Sequence, residues 1–196
     1  MSPTVRGRAV VALMALSLLA GMSPPAPRAQ TVPTCPRGSG VLTPVALGPL
    51  VMREGSGLGA VSLGNSAADV ERAWSQPSEC LPLPRGYSYN YLLSDDGGQT
   101  GLLVAVVIYQ DRVEQILATL APHSGGRGPA LRTGRGVSIM DPVQDVHRVY
   151  GTPTLESQNA IGYVSEGVAF QISRGAVGGI LVFPAGSVPP GWGVEP

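Results

Sequence analysis

Hydrophobic and polar positions follow one score twice along this chain. Residues 60–77 read AVSLGNSAADVERAWSQP and residues 136–153 read GVSIMDPVQDVHRVYGTP. Each copy runs Val-Ser-aliphatic, a helix cap, Asp-Val-x-Arg, an aromatic (Trp74, Tyr150) and a closing Pro. Recurrence of this kind marks two copies of one supersecondary unit. In the first copy Ser66 caps a helix and Asp69, three residues on, completes a capping-box pattern. Ala67, Val70, Ala73 and Trp74 then fall on one helical face, and Pro77 ends the helix. In the second copy Asp141 is the cap, Pro142 takes the first helical position and Gln144 completes the box. Val143, Val146, Val149 and Tyr150 face one way.

Strand patterns follow each helix. A short strand is expected within 45–53, and an extended entry at 61–63. Tyr87, Tyr89 and Tyr91 alternate, which puts all three on one face of a strand. Residues 102–109 form an almost continuous apolar run, as expected of a strand buried on both faces. The chain turns at 110–112 and returns as a strand over 113–120. After the second helix, strands are expected at 161–165, 168–173 and 177–183. Ile108, Val113 and Ile116 repeat the spacing of Ile172, Val177 and Ile180, so the duplication extends beyond the helices. The fold class expected is α+β, two tandem helix-plus-three-strand units, each a helix packed on an antiparallel sheet. The organisation read along the chain is a signal peptide over 1–29, an extended segment over 30–57, the first repeat over 58–121, a linker over 122–135, the second repeat over 136–184 and a loose tail over 185–196. Each repeat alone is small for a stable core, so the two should share a sheet or pack tightly.

Helix, then antiparallel strands, twice, resembles the tandem α/β units of β-lactamase inhibitor proteins. It is also similar to the single unit of the BamE/SmpA family of envelope proteins. The residues that carry the likeness are Val61-Ser62-Leu63-Gly64 with Ser66, Val70 and Pro77, and Val137-Ser138-Ile139 with Asp141-Pro142, Val146 and Tyr150-Gly151-x-Pro153. Two positions depart from the pattern: Met140 replaces a turn Gly, and Ser75 replaces the Gly before Gln76-Pro77. The resemblance implies a protein-binding role and carries over no particular partner.

The leader changes the reading of everything after it. Arg6 and Arg8 precede the apolar run 10–19, which has the length of a signal-peptide core and is too short to span a bilayer. Cleavage is expected near Ala29 or nearer Ala20, giving a secreted or periplasmic protein. No Cys follows the run, so a lipoprotein signal is absent. After export, the pair Cys35 and Cys80 is most simply one disulfide. All 13 basic residues are Arg, and three of them precede position 30, which leaves a mildly acidic remainder. That argues against nucleic-acid binding, which needs a basic face. Beyond the leader no apolar stretch approaches spanning length, so no stable membrane span is expected.

Catalytic equipment is sparse. The two histidines are His123, in a glycine-rich stretch, and His147, on the polar side of the second helix. Neither sits in a Gly-x-Ser-x-Gly or other nucleophile pattern. Asp95-Asp96-Gly97-Gly98 lacks the alternating oxygen ligands of a calcium loop and reads as a turn. Gly125-Gly126-Arg127-Gly128 lacks the Lys-Ser/Thr of a phosphate loop. Asp69 with Arg72, and Asp145 with Arg148, have the spacing of surface ion pairs. No catalytic residue, metal or cofactor is therefore expected. Tyr87, Tyr89 and Tyr91 are the candidate partner-binding residues, because tyrosine favours recognition surfaces. The expected function is a non-enzymatic module that binds another exported or envelope protein, such as an inhibitor of an extracellular enzyme. Alternatives are an envelope structural or assembly factor, or a small-ligand carrier.

Overall fold

Two long hairpins form the centre of the molecule. In the computed structural model, which describes residues 41–42, 50–94, 101–121 and 130–189, strands β7 (Leu102–Tyr109) and β8 (Arg112–Leu120) pair antiparallel, as do β12 (Val168–Ser173) and β13 (Ala176–Val182). Their turns are Gln110-Asp111 (φ 48° and 59°) and Arg174-Gly175 (φ 52° and 78°). Positive φ at both central residues matches the right-handed twist of the strands they join. Each hairpin carries a bulge at the same place, after Val107 and after Gln171, and so Ile108 pairs with Val113 as Ile172 pairs with Val177. Strand β8 then pairs antiparallel with β13, with Leu117 opposite Leu181 at the middle of the seam.

The remaining strands extend this seam outward. Among the described residues the large sheet has nine strands. On one side β6 (Tyr87–Leu93) pairs with β7, and β5 (Glu79–Pro82) and β1 (Val41–Leu42) lie beyond it. On the other side β11 (Ala160–Tyr163) pairs with β12, and β10 (Leu155–Ser157) forms the edge. A smaller sheet joins β4 (Val61–Ser62), β3 (Gly57–Leu58), β2 (Val51–Arg53) and β9 (Arg132–Thr133), the last pair parallel. Helices α1 (Ala67–Trp74) and α2 (Val143–Tyr150) and the small sheet cover one face of the large sheet. Met52, Leu58, Val70, Trp74 and Val146 pack there against Tyr91, Val104, Ile116, Phe170 and Ile180.

Strands take up 48% of the described residues and helices 12%. The expected class is therefore corrected. The protein is mostly β, its strands are shared between one large and one small sheet, and it is not two helix-plus-three-strand units. Strands β5, β10, β3 and β9 account for the difference. They are two to four residues long and show no apolar alternation, so their pairing partners, rather than their own residues, make them strands. The run over β7 is corrected too: its residues alternate between buried and half-buried, so only one face lies in the core.

Positions matched in the sequence do the same work in both halves. Gly64 N–H donates to Val113 O and Met140 N–H to Val177 O, both at 2.8 Å. Ser62 N–H donates to the Asn65 side chain and Ser138 N–H to that of Asp141, at 2.8 and 2.7 Å. Helix α1 has the expected cap, with Ser66 and Asp69 bonded reciprocally. Helix α2 does not: Pro142 is its N-cap residue, Asp141 is spent on Ser138, and the Val143 N–H donates to Gly175 O at 3.0 Å. At the matching place Ala67 N–H donates to the Asp111 carboxylate at 3.2 Å. Each hairpin turn thus tucks under a helix N-terminus and satisfies one of its unpaired donors.

The leader 1–29, Cys35, the segment 95–100, the stretch 122–129 with His123, and the tail from 190 lie outside the described residues. Among the described residues no helix is long and apolar enough to cross a membrane.

Candidate functional site

The tyrosines of β6 do not form a surface. Tyr89 is 3% exposed and Tyr91 is fully buried, while Tyr87 is half-buried. Tyr89 donates to the Glu71 carboxylate at 2.6 Å and Tyr91 to Ser75 O at 3.1 Å, both groups of α1 or its end. The Tyr91 ring stands edge-on to Trp74 with centroids 5.4 Å apart. Burial, followed for Tyr89 by the bond to Glu71, pushes both hydroxyls far above the ordinary phenol range. Tyr163 repeats the arrangement beneath α2, donating to Gly151 O at 3.1 Å. Tyr89 and Tyr91 face the helix and offer a partner nothing to touch, so the reading of Tyr87, Tyr89 and Tyr91 as an exposed partner-binding stripe is corrected by the burial of two of its three members, Tyr87 remaining half-buried at its end. Alternation placed them on one face correctly; it could not say which face the helix would take.

The opposite face of the large sheet carries a different set. Leu92 on β6, Leu103, Ala105 and Val107 on β7, and Leu117 on β8 are half-buried there. Asn90, Gln115, Thr119 and Gln171 complete the middle of the face, which holds no charged side chain among the described residues. Glu79 stands at its β5 edge, where its carboxylate accepts from the Asn90 amide at 3.4 Å. No described helix or strand packs on this face. Beside the seam, Ala169, Leu181 and Phe183 form a small second apolar cluster with Leu117. The apolar run over β7 was the visible signal for this surface, hidden by its reading as a strand buried on both sides.

Two concavities open on the large sheet where the hairpins diverge from the seam. One, of about 910 Å3, is lined by residues including Thr119, Asn159, Gln171, Ser173, Arg174 and Gly178. The other, of about 230 Å3, lies between Arg85, Glu114 and Gln115 on one wall and Ser187, Val188 and Pro189 on the other. Arg85 stacks over the Tyr109 ring at 4.5 Å.

A polar node was not foreseen from the sequence. The Glu54 carboxylate accepts from the N–H groups of Gly134 and Arg135, at 3.2 and 3.1 Å, and from the Tyr150 hydroxyl. Thr133 bonds that hydroxyl at 2.7 Å, and Arg135 pairs with Glu166 at 2.5 Å. Burial first, then Glu54, drives the Tyr150 hydroxyl well above its usual range. These groups satisfy one another and strap the β2–β3 turn to the second half, which is a structural arrangement.

No protein-family model matches the chain, and no curated protein matches it. Among solved structures, it is similar to an extracellular protein containing an SCP domain from Bacillus anthracis, with a TM-score of 0.40 and 12% identity. That likeness covers 62% of this chain and 44% of the other, so it spans less than half the solved protein's length and, at that score, carries no argument.

The other residues singled out in the sequence are dispersed. His147 is exposed on α2. Arg72 bonds Asp69 at 2.6 Å and Arg148 bonds Asp145 at 2.9 Å, exposed pairs of the kind that add little stability. Among the described residues no group of three or more His, Cys, Asp or Glu is placed to hold a metal ion. Cys80, on β5, is not a free thiol.

Proposed function

We propose that the protein is an exported, non-enzymatic module that binds another exported or envelope protein through the outer face of its large sheet. The observation that supports this is the composition of that face. It is apolar and half-buried at Leu92, Leu103, Val107 and Leu117, and its middle lacks charge among the described residues. Depletion of charge at the centre of a partly apolar surface is the signature of an interface core. Export rests on the leader pattern of residues 1–29. Inhibition of an extracellular enzyme is one form such binding would take.

The test is an affinity capture from secreted and envelope fractions of the source organism, with the exported chain as bait beside Leu103→Arg and Leu117→Arg variants. Both positions are half-buried on the face opposite the helices, and each variant should keep its circular dichroism spectrum. A partner held by the native chain and lost by both variants is the expected result. A partner held equally by all three removes the sheet face from consideration. No captured protein would turn attention to a small-ligand carrier.

A further inference from the structure

The turn that enters each helix is held in the same frame in both halves. Gly64 N–H donates to Val113 O and Val113 N–H returns to Asn65 O, at 2.8 and 2.9 Å. Met140 N–H donates to Val177 O and Val177 N–H returns to Asp141 O, again at 2.8 and 2.9 Å. Asn65 N–H closes on Ser62 O and Asp141 N–H on Ser138 O, at 3.1 and 3.2 Å. The second turn is also tied to its hairpin further on: Val143 N–H donates to Gly175 O at 3.0 Å, and Pro142 bridges Ala176.

This one frame carries opposite side chains. The first half presents Gly64-Asn65-Ser66, the second Met140-Asp141-Pro142. Met140 is 54% exposed, more than any other large apolar side chain among the described residues. Pro142 is exposed beside it, and Ile139, Val143 and Ala176 of the same turn and hairpin are half-buried. The nearby carboxylates are spent within the chain: Asp141 accepts from Ser138 N–H at 2.7 Å, and Asp145 pairs with Arg148 at 2.9 Å. Exposure is half of the anomaly. Met140 also holds φ 77°, in the left-handed region, where the first half has Gly64 at φ 83°. Strain of this kind persists where surrounding bonds over-determine the backbone, and it gathers at ligand clamps. The backbone here suits a glycine, and the Met140 side chain is not part of the core. Strain and apolar exposure at one residue leave contact with a partner as the use of that side chain.

Building on the reading of the protein as a binding module, we propose that Met140 anchors a second docking point, a rigid apolar tip that enters an apolar cleft on the partner protein. Pro142, Ile139 and Val143 would form the collar around it. A turn already fixed in its bound shape loses little conformational freedom on docking. The unbranched thioether side chain fills irregular apolar gaps. A membrane fits less well. Arg174 is the one basic residue across 138–143 and 174–176, short of the basic cluster that draws a protein to anionic lipid.

The test places substitutions at the tip in the affinity capture, followed by titration calorimetry with the purified captured protein. Met140→Gly relieves the strain and removes the side chain. Met140→Asn removes the apolar group and keeps a residue that tolerates the left-handed region. Both should bind at least about tenfold more weakly than the native chain, while Met140→Leu, which keeps an apolar side chain, should stay within about threefold. Ser75→Gly, which relieves similar strain at the end of α1, should bind as the native chain does. Met140→Gly should also raise the urea midpoint, and a merely structural residue would not move stability and affinity in opposite directions. Unchanged binding in Met140→Gly and Met140→Asn overturns the tip; if Leu103→Arg and Leu117→Arg still abolish capture, the sheet-face reading stands. Capture lost by Met140→Asn and kept by both arginine variants removes the sheet face and retains the tip. Sedimentation of the native chain, but not of Met140→Asn, with mixed phosphatidylglycerol and phosphatidylcholine vesicles overturns the protein cleft in favour of a lipid surface. A native chain that captures no protein overturns both readings.

Discussion

Two residues that break the repeated pattern sit in backbone conformations that suit glycine. Ser75 has φ 64° and ψ −166°, and its counterpart Gly151 has φ 79° and ψ −144°. Met140 has φ 77° where Gly64 has φ 83°. A side chain in such regions costs on the order of 1–3 kcal/mol. Ser75→Gly and Met140→Gly should each stabilise the protein by about 1 kcal/mol, measured as a raised urea midpoint at unchanged slope; a lowered midpoint would contradict the strain. The capping box of α1 makes a pH-dependent contribution. The Ser66 hydroxyl first, then the Ser66 N–H and Arg72, hold the Asp69 carboxyl at about 2 against an ordinary 3.8. Because the folded value is the lower one, this contribution is complete above 3.8 and is lost as the pH falls through about 2. Ser66→Ala should cost about 1 kcal/mol near neutrality and flatten the decline of stability between about pH 5 and pH 2. Parallel curves for variant and native protein would exclude this role. The cap of α1 was legible because Ser66 and Asp69 fill standard places. That of α2 was not, since its donor is satisfied by Gly175, brought there by a hairpin distant in sequence.

Each helix is held to the sheet by a buried tyrosine that closes on the carbonyl at the helix end. Tyr91 and Tyr163 make matching bonds of 3.1 Å to Ser75 and Gly151. Tyr91→Phe and Tyr163→Phe should each destabilise by about 1 kcal/mol and leave partner capture unchanged, since neither ring reaches the outer face. A loss of capture without a loss of stability would restore the tyrosines to a binding role. The long strands were legible because their apolar periods are strong; β6, β7, β8, β12 and β13 lie within two or three residues of the expected ranges. The short ones carry no period. Pro82 in β5 and Glu156-Ser157 in β10 are edge residues that only a neighbouring strand organises. The working face was obscured for a related reason: alternation separates two faces of a strand and is silent about which one the rest of the chain will cover.

Across the whole molecule, Cys80 lies on the β5 edge and Cys35 is the chain's other cysteine. With the two paired, the intact mass of the protein should be two hydrogen atoms below the reduced mass, and reduction should cost about 3–4 kcal/mol by the loop-entropy relation. A full complement of thiols would refute the pairing. The recurrence was the part of the architecture that the sequence displayed best, and the expectation that the halves share a sheet or pack tightly is met, though among the described residues they build one nine-stranded sheet with a smaller one rather than two helix-plus-three-strand units. What it did not say was which strands would join at the seam, because pairing between the last strands of the halves depends on residues far apart in sequence. That seam also orders the folding reaction. The hairpins close through two-residue turns and are local, whereas the four seam pairs between β8 and β13, and the parallel pairing of β2 with β9, join distant stretches. Non-local pairing pays its chain entropy before it is rewarded, so two preformed hairpins should wait for one late docking step. A charge placed at Leu181, which is buried beside the seam, would slow that step far more than it would disturb either hairpin.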